Sequence, residues 1–142
     1  MTTDQEPTTS ALPNAAAGAA RRARAQGTAH EALQEKLGTL DPRLAAWADG
    51  WIFGEVWDEV GDFEDRSLVA IVALAATAKP DQLRNYLHGA LQDGMSPRRI
   101  HESLVMLVVY VGFPTALAAL GVWQEVVRSA RRRGMAIDLP IV

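Results

Sequence analysis

The sequence predicts an all-α protein, a single-domain bundle of five to six helices over residues 15–142. Apolar residues recur every three or four positions through most of the chain, which is the period of one face of a helix. No stretch alternates apolar and polar residues as a strand does. Capping residues followed by proline, and isolated glycines, divide the pattern into segments of helical length. With 142 residues, 49% of them hydrophobic, the chain has the size and composition of one globular domain.

The first predicted helix lies within residues 15–36 and follows a tail. Residues 1–14 are rich in threonine and proline and have little to bury, so they are expected to be disordered. Alanine favours the helix, but Gly18 and Gly27 weaken it, so an interrupted or partly packed helix is expected. The basic residues at 21–24 (RRAR) are expected on a solvated helix face.

The second predicted helix begins at Asp41 and Pro42, an N-cap and first-turn pair, and runs to about residue 58. Positions 44, 47, 48, 51 and 55 share one face of it, which places Trp51 beside Glu55. A carboxylate at the end of an apolar, tryptophan-bearing stripe is either a boundary residue or a desolvated acid. Desolvation would raise the pKa of Glu55 toward the range that is useful for proton transfer.

The third predicted helix spans about residues 65–78 and carries Arg66 in its first turn. A cation at that end is unfavourable for the helix dipole. We therefore expect a specific partner for Arg66, either a structural carboxylate or the anionic group of a substrate.

Two helices joined by a tight turn are predicted between residues 79 and 114. Pro80 and Pro97 suit the first turns of these helices, and Gly94 suits the end of the first. The second is apolar on nearly every side between residues 104 and 111, so it is expected to be a buried central element.

A last helix is predicted from near Pro114 to about residue 133. The arginines at its end complement the helix dipole, and the tail beyond it is expected to pack on a neighbouring element or subunit.

Several partners and chemistries are not expected for this chain. The net charge of −3 gives no footprint for nucleic acid or for an anionic membrane, and the longest apolar run is too short to span a bilayer. The N-terminal residues lack the pattern of a secretory signal, so a cytoplasmic location is expected. The absence of cysteine excludes thiol and disulfide chemistry. His30, His88 and His101 do not form a ligand set at helical spacing, so neither a metal nor an organic cofactor is expected.

Four motifs in order carry a family resemblance. They are GEVW at 54–57, RSL at 66–68, LxxALxxGxSxxxIxExL at 87–104 and YxGxP at 110–114. With the helix before them, they resemble the carboxymuconolactone decarboxylase family over roughly residues 30–130. The resemblance implies an all-α fold, a small-molecule substrate, and protomers assembled into trimers or hexamers with active sites near the subunit interfaces.

The family has two chemical branches, and the resemblance is to the branch without a cysteine pair. The alkylhydroperoxidase-like branch needs a CxxC motif, so this cysteine-free chain is not expected to be a thiol peroxidase. The decarboxylase branch acts without metal or organic cofactor and typically carries HxRAAL in its fourth helix. Here Tyr86 stands at the histidine position and His88 at the arginine position. Met106, Leu117 and Ala118 also replace polar residues of the family, which implies a less polar pocket.

The candidate catalytic residues are Glu55, Tyr86 and His88. His88 titrates near neutral pH and Tyr86 occupies the place of the family histidine, although the two point about 200° apart on an ideal helix. The candidate substrate-binding residues are Arg66, Glu102, Tyr110 and Trp51. Glu102 and Tyr110 also have ordinary interpretations, an arginine pair for the first and packing for the second.

Two classes of function remain open from the sequence. The first is a cofactor-independent enzyme, a lyase that decarboxylates a carboxylated lactone or related organic acid, or an isomerase or cyclase that uses the same pocket. The second is a non-catalytic, ligand-binding oligomer that has lost the usual histidine.

Overall fold

A computed structural model gives the fold and describes residues 12–140. These residues form six helical runs separated by short breaks, and no strand occurs among them. The predicted all-α class is confirmed. Most of the predicted tail over residues 1–14 lies outside the described residues.

The helical runs differ in their regularity. The first joins α1 (Ala15–Gln26), a 3₁₀ turn (Gly27–Ala29) and α2 (His30–Leu40). The second joins α3 (Pro42–Trp47), a π-helical segment (Ala48–Val56) and α4 (Trp57–Glu59). The others are α5 (Phe63–Ala76), α6 (Pro80–Gln92), α7 (Pro97–Val111) and α8 (Phe113–Arg132).

Side-chain caps fix the starts of three helices. Asp41 accepts a hydrogen bond from the backbone N–H of Arg43, and Ser96 accepts one from that of Arg99. The bonds from Arg43 also lower the pKa of the Asp41 carboxyl to about 2. Asp62 caps α5, so this helix begins at Phe63, two residues before the predicted start.

The predicted interruption of the first helix occurs at one of its two glycines. Gly27 has a φ of 62° and ends α1. Gly18 lies inside α1 without breaking it, and a Cβ atom there would collide with the backbone oxygen of Asp49. Gly89 of α6 is in a similar position, since a Cβ atom there would collide with the backbone oxygen of Ala25. Glycine therefore lets α1 lie directly against both the π-helical segment and α6.

The expectation that residues 21–24 form a solvated helix face holds for Arg24, which is exposed, and is wrong for Arg22. Arg22 is buried, with 2% of its surface exposed. Arg21 pairs with Asp58 at 2.9 Å. Arg24 pairs with Asp93 at 2.9 Å, and its guanidinium lies 3.9 Å from the centre of the Phe63 ring. Each of these arginines also binds another part of the chain.

The main hydrophobic core lies between α5, α6, α7 and α8. Its largest fully buried side chain is Trp123, which is surrounded by aliphatic residues of these four helices. A smaller cluster of Ala25, Phe53 and Trp57 joins α1 to the π-helical segment and α4. Tyr86 packs against both clusters, so it connects the N-terminal helices with the main core.

The expectation that α7 is buried on nearly all sides is wrong for this chain taken alone. Leu104 and Leu107 face the core, but Val109 is 67% exposed and Tyr110 is 74% exposed.

The C-terminal tail does pack on the helices, as expected: Ile137 is buried, and its carbonyl accepts a hydrogen bond of 2.8 Å from Arg131.

No helix within residues 12–140 is long and apolar enough to cross a membrane.

Replacing Gly89 with alanine tests the close contact between α1 and α6. We expect a loss of about 1–3 kcal/mol in the free energy of unfolding, because the added methyl group forces the α1 backbone away. Gly121→Ala is the matched control: Gly121 lies in the middle of α8 with no neighbouring atom near its missing Cβ. This change should stabilise the protein by about 0.5–1 kcal/mol through helix propensity. Urea unfolding measures both values, and equal effects would contradict the contact.

We propose that the exposed apolar face of α7 is covered in a homo-oligomer, because a patch of this kind marks an interaction surface. Light scattering should then return a multiple of the 15.4 kDa chain mass at micromolar concentration. Val109→Lys should lower that mass by placing a charge in the interface, whereas Gln82→Lys, which adds the same charge on the exposed surface of α6, should not. A wild-type monomer would rule this proposal out.

Candidate functional site

The π-helical segment shapes the part of the molecule in which most predicted site residues lie. It is nine residues long, whereas such geometry is usually confined to a single turn and often occurs at functional sites. It turns Phe53 toward the core and leaves Trp51 and Glu55 exposed. Two hollows flank it, one on its exposed side and one where it continues into α4.

The first hollow, called here the Trp51 hollow, has a volume of about 370 Å³ and is lined by Leu12, Trp47, Trp51 and Glu55. Trp51 and Glu55 therefore lie together, as their spacing indicated. Glu55 is exposed, however, and no described side chain donates a hydrogen bond to it. The desolvation that the sequence led us to expect for this carboxylate is absent from the chain taken alone.

The second hollow, called here the Trp57 hollow, has a volume of about 350 Å³. It lies between α5 and the end of the second helical run, and its lining includes Val56, Trp57, Val60, Arg66, Val69 and Ala70. Its walls are apolar, with charged groups supplied by Arg66 and the neighbouring Asp65. A hollow of this size and character suits a small organic molecule.

Arg66 is held by backbone carbonyl groups and not by a carboxylate. Its Nε donates to the oxygen of Val60, and its Nη2 donates to those of Gly61 and Asp58, the last at 3.2 Å. Among the described residues no carboxylate forms an ion pair with Arg66, and Asp65 pairs instead with Arg99 at 3.2 Å. Of the two partners expected from the sequence, the structural carboxylate is therefore not found within residues 12–140: Arg66 has no ion pair there, although Asp65 also lines the hollow.

Tyr86 lies behind the wall of the Trp57 hollow. Its ring centre is 6.3 Å from that of Trp57, and it packs against the buried cluster that contains Trp57. Its hydroxyl oxygen accepts a hydrogen bond of 3.4 Å from Nε2 of Gln26. Burial raises the pKa of Tyr86 above its usual value, and the Gln26 bond and the charge of Arg22 oppose this rise. The phenol is therefore protonated, and able to donate, at neutral pH.

His88 lies in a different hollow, about 160 Å³ in volume, which it shares with Gln92, Arg133 and Met135. Its Nδ1 is 3.0 Å from Nη2 of Arg133. Arginine can only donate, so Nδ1 is the acceptor and the ring proton of the neutral form is on Nε2. Burial and the charges of Arg133 and Arg84 lower the pKa of His88.

The other predicted residues lie away from both flanking hollows. Glu102 is exposed and 3.9 Å from Arg98, and Tyr110 is on the exposed face of α7. The structure thus brings together Trp51 with Glu55, and Arg66 with the Trp57–Tyr86 pair. It does not place Glu55, Tyr86 and His88 around one cavity of the described chain.

A buried polar network beside Tyr86 was missed in the sequence. Arg22 donates from Nε to the Gln26 side-chain oxygen at 2.9 Å, and from Nη1 to Gln34 and to Asp49, the latter at 3.3 Å. One signal could have revealed it. Gly18, Arg22 and Gln26 recur at four-residue spacing on an otherwise alanine-rich helix, so they share the face that a glycine marks as a close contact.

Within the described part of the chain, no group of three or more histidine, cysteine, aspartate or glutamate side chains has an arrangement that could hold a metal ion.

These features define an all-α protein with hollows of small-molecule size, and the Trp57 hollow presents an arginine that has no carboxylate partner among residues 12–140. The carboxymuconolactone decarboxylase family model matches residues 42–125, more than half of the chain, and the chain belongs to this family. The resemblance seen in the sequence is confirmed. The matched region begins at α3, so α1 and α2, which carry most of the Arg22 network, lie outside it.

Two relatives are named as decarboxylases. The chain is 29% identical over 93 residues to the 4-carboxymuconolactone decarboxylase of Acinetobacter baylyi, a match that covers 65% of this chain and 69% of that protein. It is 27% identical over 85 residues to the nitrosuccinic acid decarboxylase of Metarhizium robertsii, with 59% of each protein covered. The chain therefore spans less than two thirds of the second relative.

The environment of His88 predicts a pH dependence of stability. Because the pKa of His88 is lowered in the fold, its stabilising contribution is present above its ordinary value of 6.5 and is lost as pH falls through the lowered value. Wild-type stability should therefore fall more steeply than that of His88→Gln as the pH drops below 6.5.

An NMR titration of the His88 ring measures the same effect directly. Arg133→Met should bring the midpoint closer to 6.5, whereas Arg132→Met, which removes a neighbouring exposed arginine, should leave it in place. A wild-type midpoint at or above 6.5 would contradict the described environment.

Proposed function

We propose that this protein is a cofactor-independent decarboxylase that acts on a small organic acid, with the substrate carboxylate bound by Arg66 in the Trp57 hollow. Membership of the family and the decarboxylase names of two relatives support the reaction class. The observation that carries the site is Arg66, a positive charge without a carboxylate partner at an apolar, tryptophan-walled hollow. Nη1 of Arg66 has no hydrogen-bond partner among residues 12–140, so it can donate a charge-assisted hydrogen bond to a substrate carboxylate.

The reaction needs an electron sink in the substrate and a proton donor in the protein. The bond between the carboxylate carbon and its neighbour breaks, carbon dioxide leaves, and the electron pair passes to a conjugated carbonyl or a nitro group. A proton then adds to the carbon that lost the carboxylate. Apolar walls favour this step because they hydrate the carboxylate poorly, and its negative charge spreads over the sink as the bond breaks.

Tyr86 is the donor that we place closest to the Trp57 hollow. The raised pKa of its phenol keeps the proton on the oxygen at neutral pH. Tyr86 packs near Trp57, which lines the hollow, so the Trp57 side chain must move aside for the hydroxyl to come within hydrogen-bond distance of a substrate there. A fixed donor of this kind contributes roughly a hundredfold to ten-thousandfold in rate. Glu55 and His88 line other hollows, so neither lines the hollow in which we place the substrate.

The alternative is a ligand-binding oligomer without catalysis. It is favoured by one observation, that Glu55, Tyr86 and His88 do not surround one cavity in the described chain. An isomerase or cyclase would use the Trp57 hollow in the same way but would release no carbon dioxide.

A substrate screen with Arg66 variants tests the proposed function. Carboxylated lactones and nitro-substituted dicarboxylic acids, including the substrates named for the two relatives, are screened by thermal shift and then by carbon dioxide release. Arg66→Met should lower kcat/KM by about 10- to 100-fold, the value of a charged hydrogen bond, and Arg66→Lys should lower it less. Arg98→Met, which removes an exposed arginine from α7, should have no effect.

Thermal unfolding separates a binding defect from a folding defect, since Arg66 also holds three backbone carbonyls. Full turnover of Arg66→Met, correctly folded, would refute the site. Binding of an acid by the wild type without release of carbon dioxide would refute the reaction and favour the alternative.

A further inference from the structure

We propose that Gln26 and Arg22 are positioning residues for Tyr86: together they fix its hydroxyl as an acceptor toward Gln26, so that its proton points to another partner. The inference rests on the proposed function for the role of that proton, but the orientation itself can be measured without a substrate. Both residues belong to α1, which lies outside the region that matches the family.

The first step is that Arg22 determines which way the Gln26 amide points. Arginine donates hydrogen bonds and accepts none, so the atom of Gln26 that lies 2.9 Å from Nε of Arg22 is the side-chain oxygen. The amide nitrogen is then the atom directed at Tyr86. An amide that faced the other way would set two donors against each other inside the protein.

Arg22 is itself held from two further elements. Its Nη1 donates to Gln34 on α2 and to Asp49 on the π-helical segment. With only 2% of its surface exposed, it has little freedom to turn away, and Gln26 is 9% exposed. The direction of the amide is therefore fixed through Arg22 by Gln34 and Asp49, and neither of these side chains hydrogen-bonds to Tyr86.

The consequence for Tyr86 concerns its proton. Since the Gln26 nitrogen donates, the phenol oxygen is the acceptor in this bond. Among residues 12–140, no acceptor is found for the hydroxyl proton, which is left for a group outside the chain. The Gln26 hydrogen bond and the nearby charge of Arg22 both lower the pKa of Tyr86, so both oppose the rise caused by burial.

Resonance Raman spectra of tyrosine test the orientation at neutral pH, since the intensity ratio of the tyrosine doublet distinguishes a hydroxyl that accepts from one that donates. The chain has two tyrosines, so Tyr110→Phe serves as the background in which Tyr86 is seen alone. With Gln26 unchanged, Tyr86 in the Tyr110→Phe protein should give the intensity ratio of a hydroxyl that accepts. Gln26→Glu should give the donor ratio, because a carboxylate that binds Arg22 can only accept from the phenol. Gln26→Leu and Arg22→Met should both lose the acceptor signal.

The matched control is Gln92→Leu. Gln92 lies on α6, and its side-chain oxygen accepts from the backbone N–H of Thr28 at 3.2 Å, so this change removes a glutamine hydrogen bond near α1 without touching Tyr86. It should leave the doublet unchanged. An unchanged doublet in Gln26→Leu, or a donor ratio in the wild type, would overturn the positioning role.

Turnover on an identified substrate separates this inference from the proposed function. Gln26→Leu and Gln26→Glu should lower kcat by about tenfold with little change in KM, since only proton transfer is affected. A shifted doublet with unchanged kcat would leave the orientation standing and remove Tyr86 from the reaction. An unchanged doublet refutes the inference whatever the activity.

Discussion

The close approach of α1 to two neighbouring elements is the constraint on which the rest of the structure depends. It is possible because Gly18 and Gly89 lack side chains where backbones meet. Once the backbones are this near, the next side chain on the same face of α1, Arg22, has no route to solvent and must be satisfied inside the protein. A buried, unpaired charge would cost several kcal/mol, so the partners on α2 and the π-helical segment are a requirement of the packing.

Helix starts and ends could be predicted from the sequence because they depend on short-range chemistry. Asp41 and Ser96 cap the helices that follow them, and Gly27 ends α1. The burial of Arg22 could not be predicted from the composition of residues 21–24, because an arginine-rich stretch is usually solvated. Arg22 is buried because α1 lies close to the π-helical segment at Gly18, a tertiary contact. The π-helical segment was missed for the same reason: its apolar spacing resembles that of an α-helix, and its wide turn depends on the packing of α1.

The candidate site was predicted unevenly, and the reason is again the range of the forces involved. Arg66 could be predicted because a cation in the first turn of a helix needs a partner. The structure gives it three partners, the backbone carbonyl groups of Asp58, Val60 and Gly61. Glu55 was selected because burial was expected at the end of a tryptophan stripe, but an apolar stripe does not specify whether its own chain covers it. Trp51 and Glu55 remain exposed for this reason. In the proposed oligomer, the surfaces of other copies would decide whether Trp51 and Glu55 join a site, and no spacing in one chain describes those surfaces.

The way in which Arg66 is held explains how a cation with several hydrogen bonds can still attract an acid. Carbonyl groups satisfy the donors of the guanidinium without cancelling its charge, whereas a carboxylate would do both. The positive charge therefore remains available at the hollow while its position is fixed by the backbone between Asp58 and Gly61. Trp57 precedes this stretch of backbone, its side chain lines the hollow, and its ring centre is 6.3 Å from that of Tyr86. In the proposed site, the corner between α4 and α5 therefore holds the binding charge in the same hollow as Trp57, while α1 supplies the amide that binds the hydroxyl of the neighbouring Tyr86.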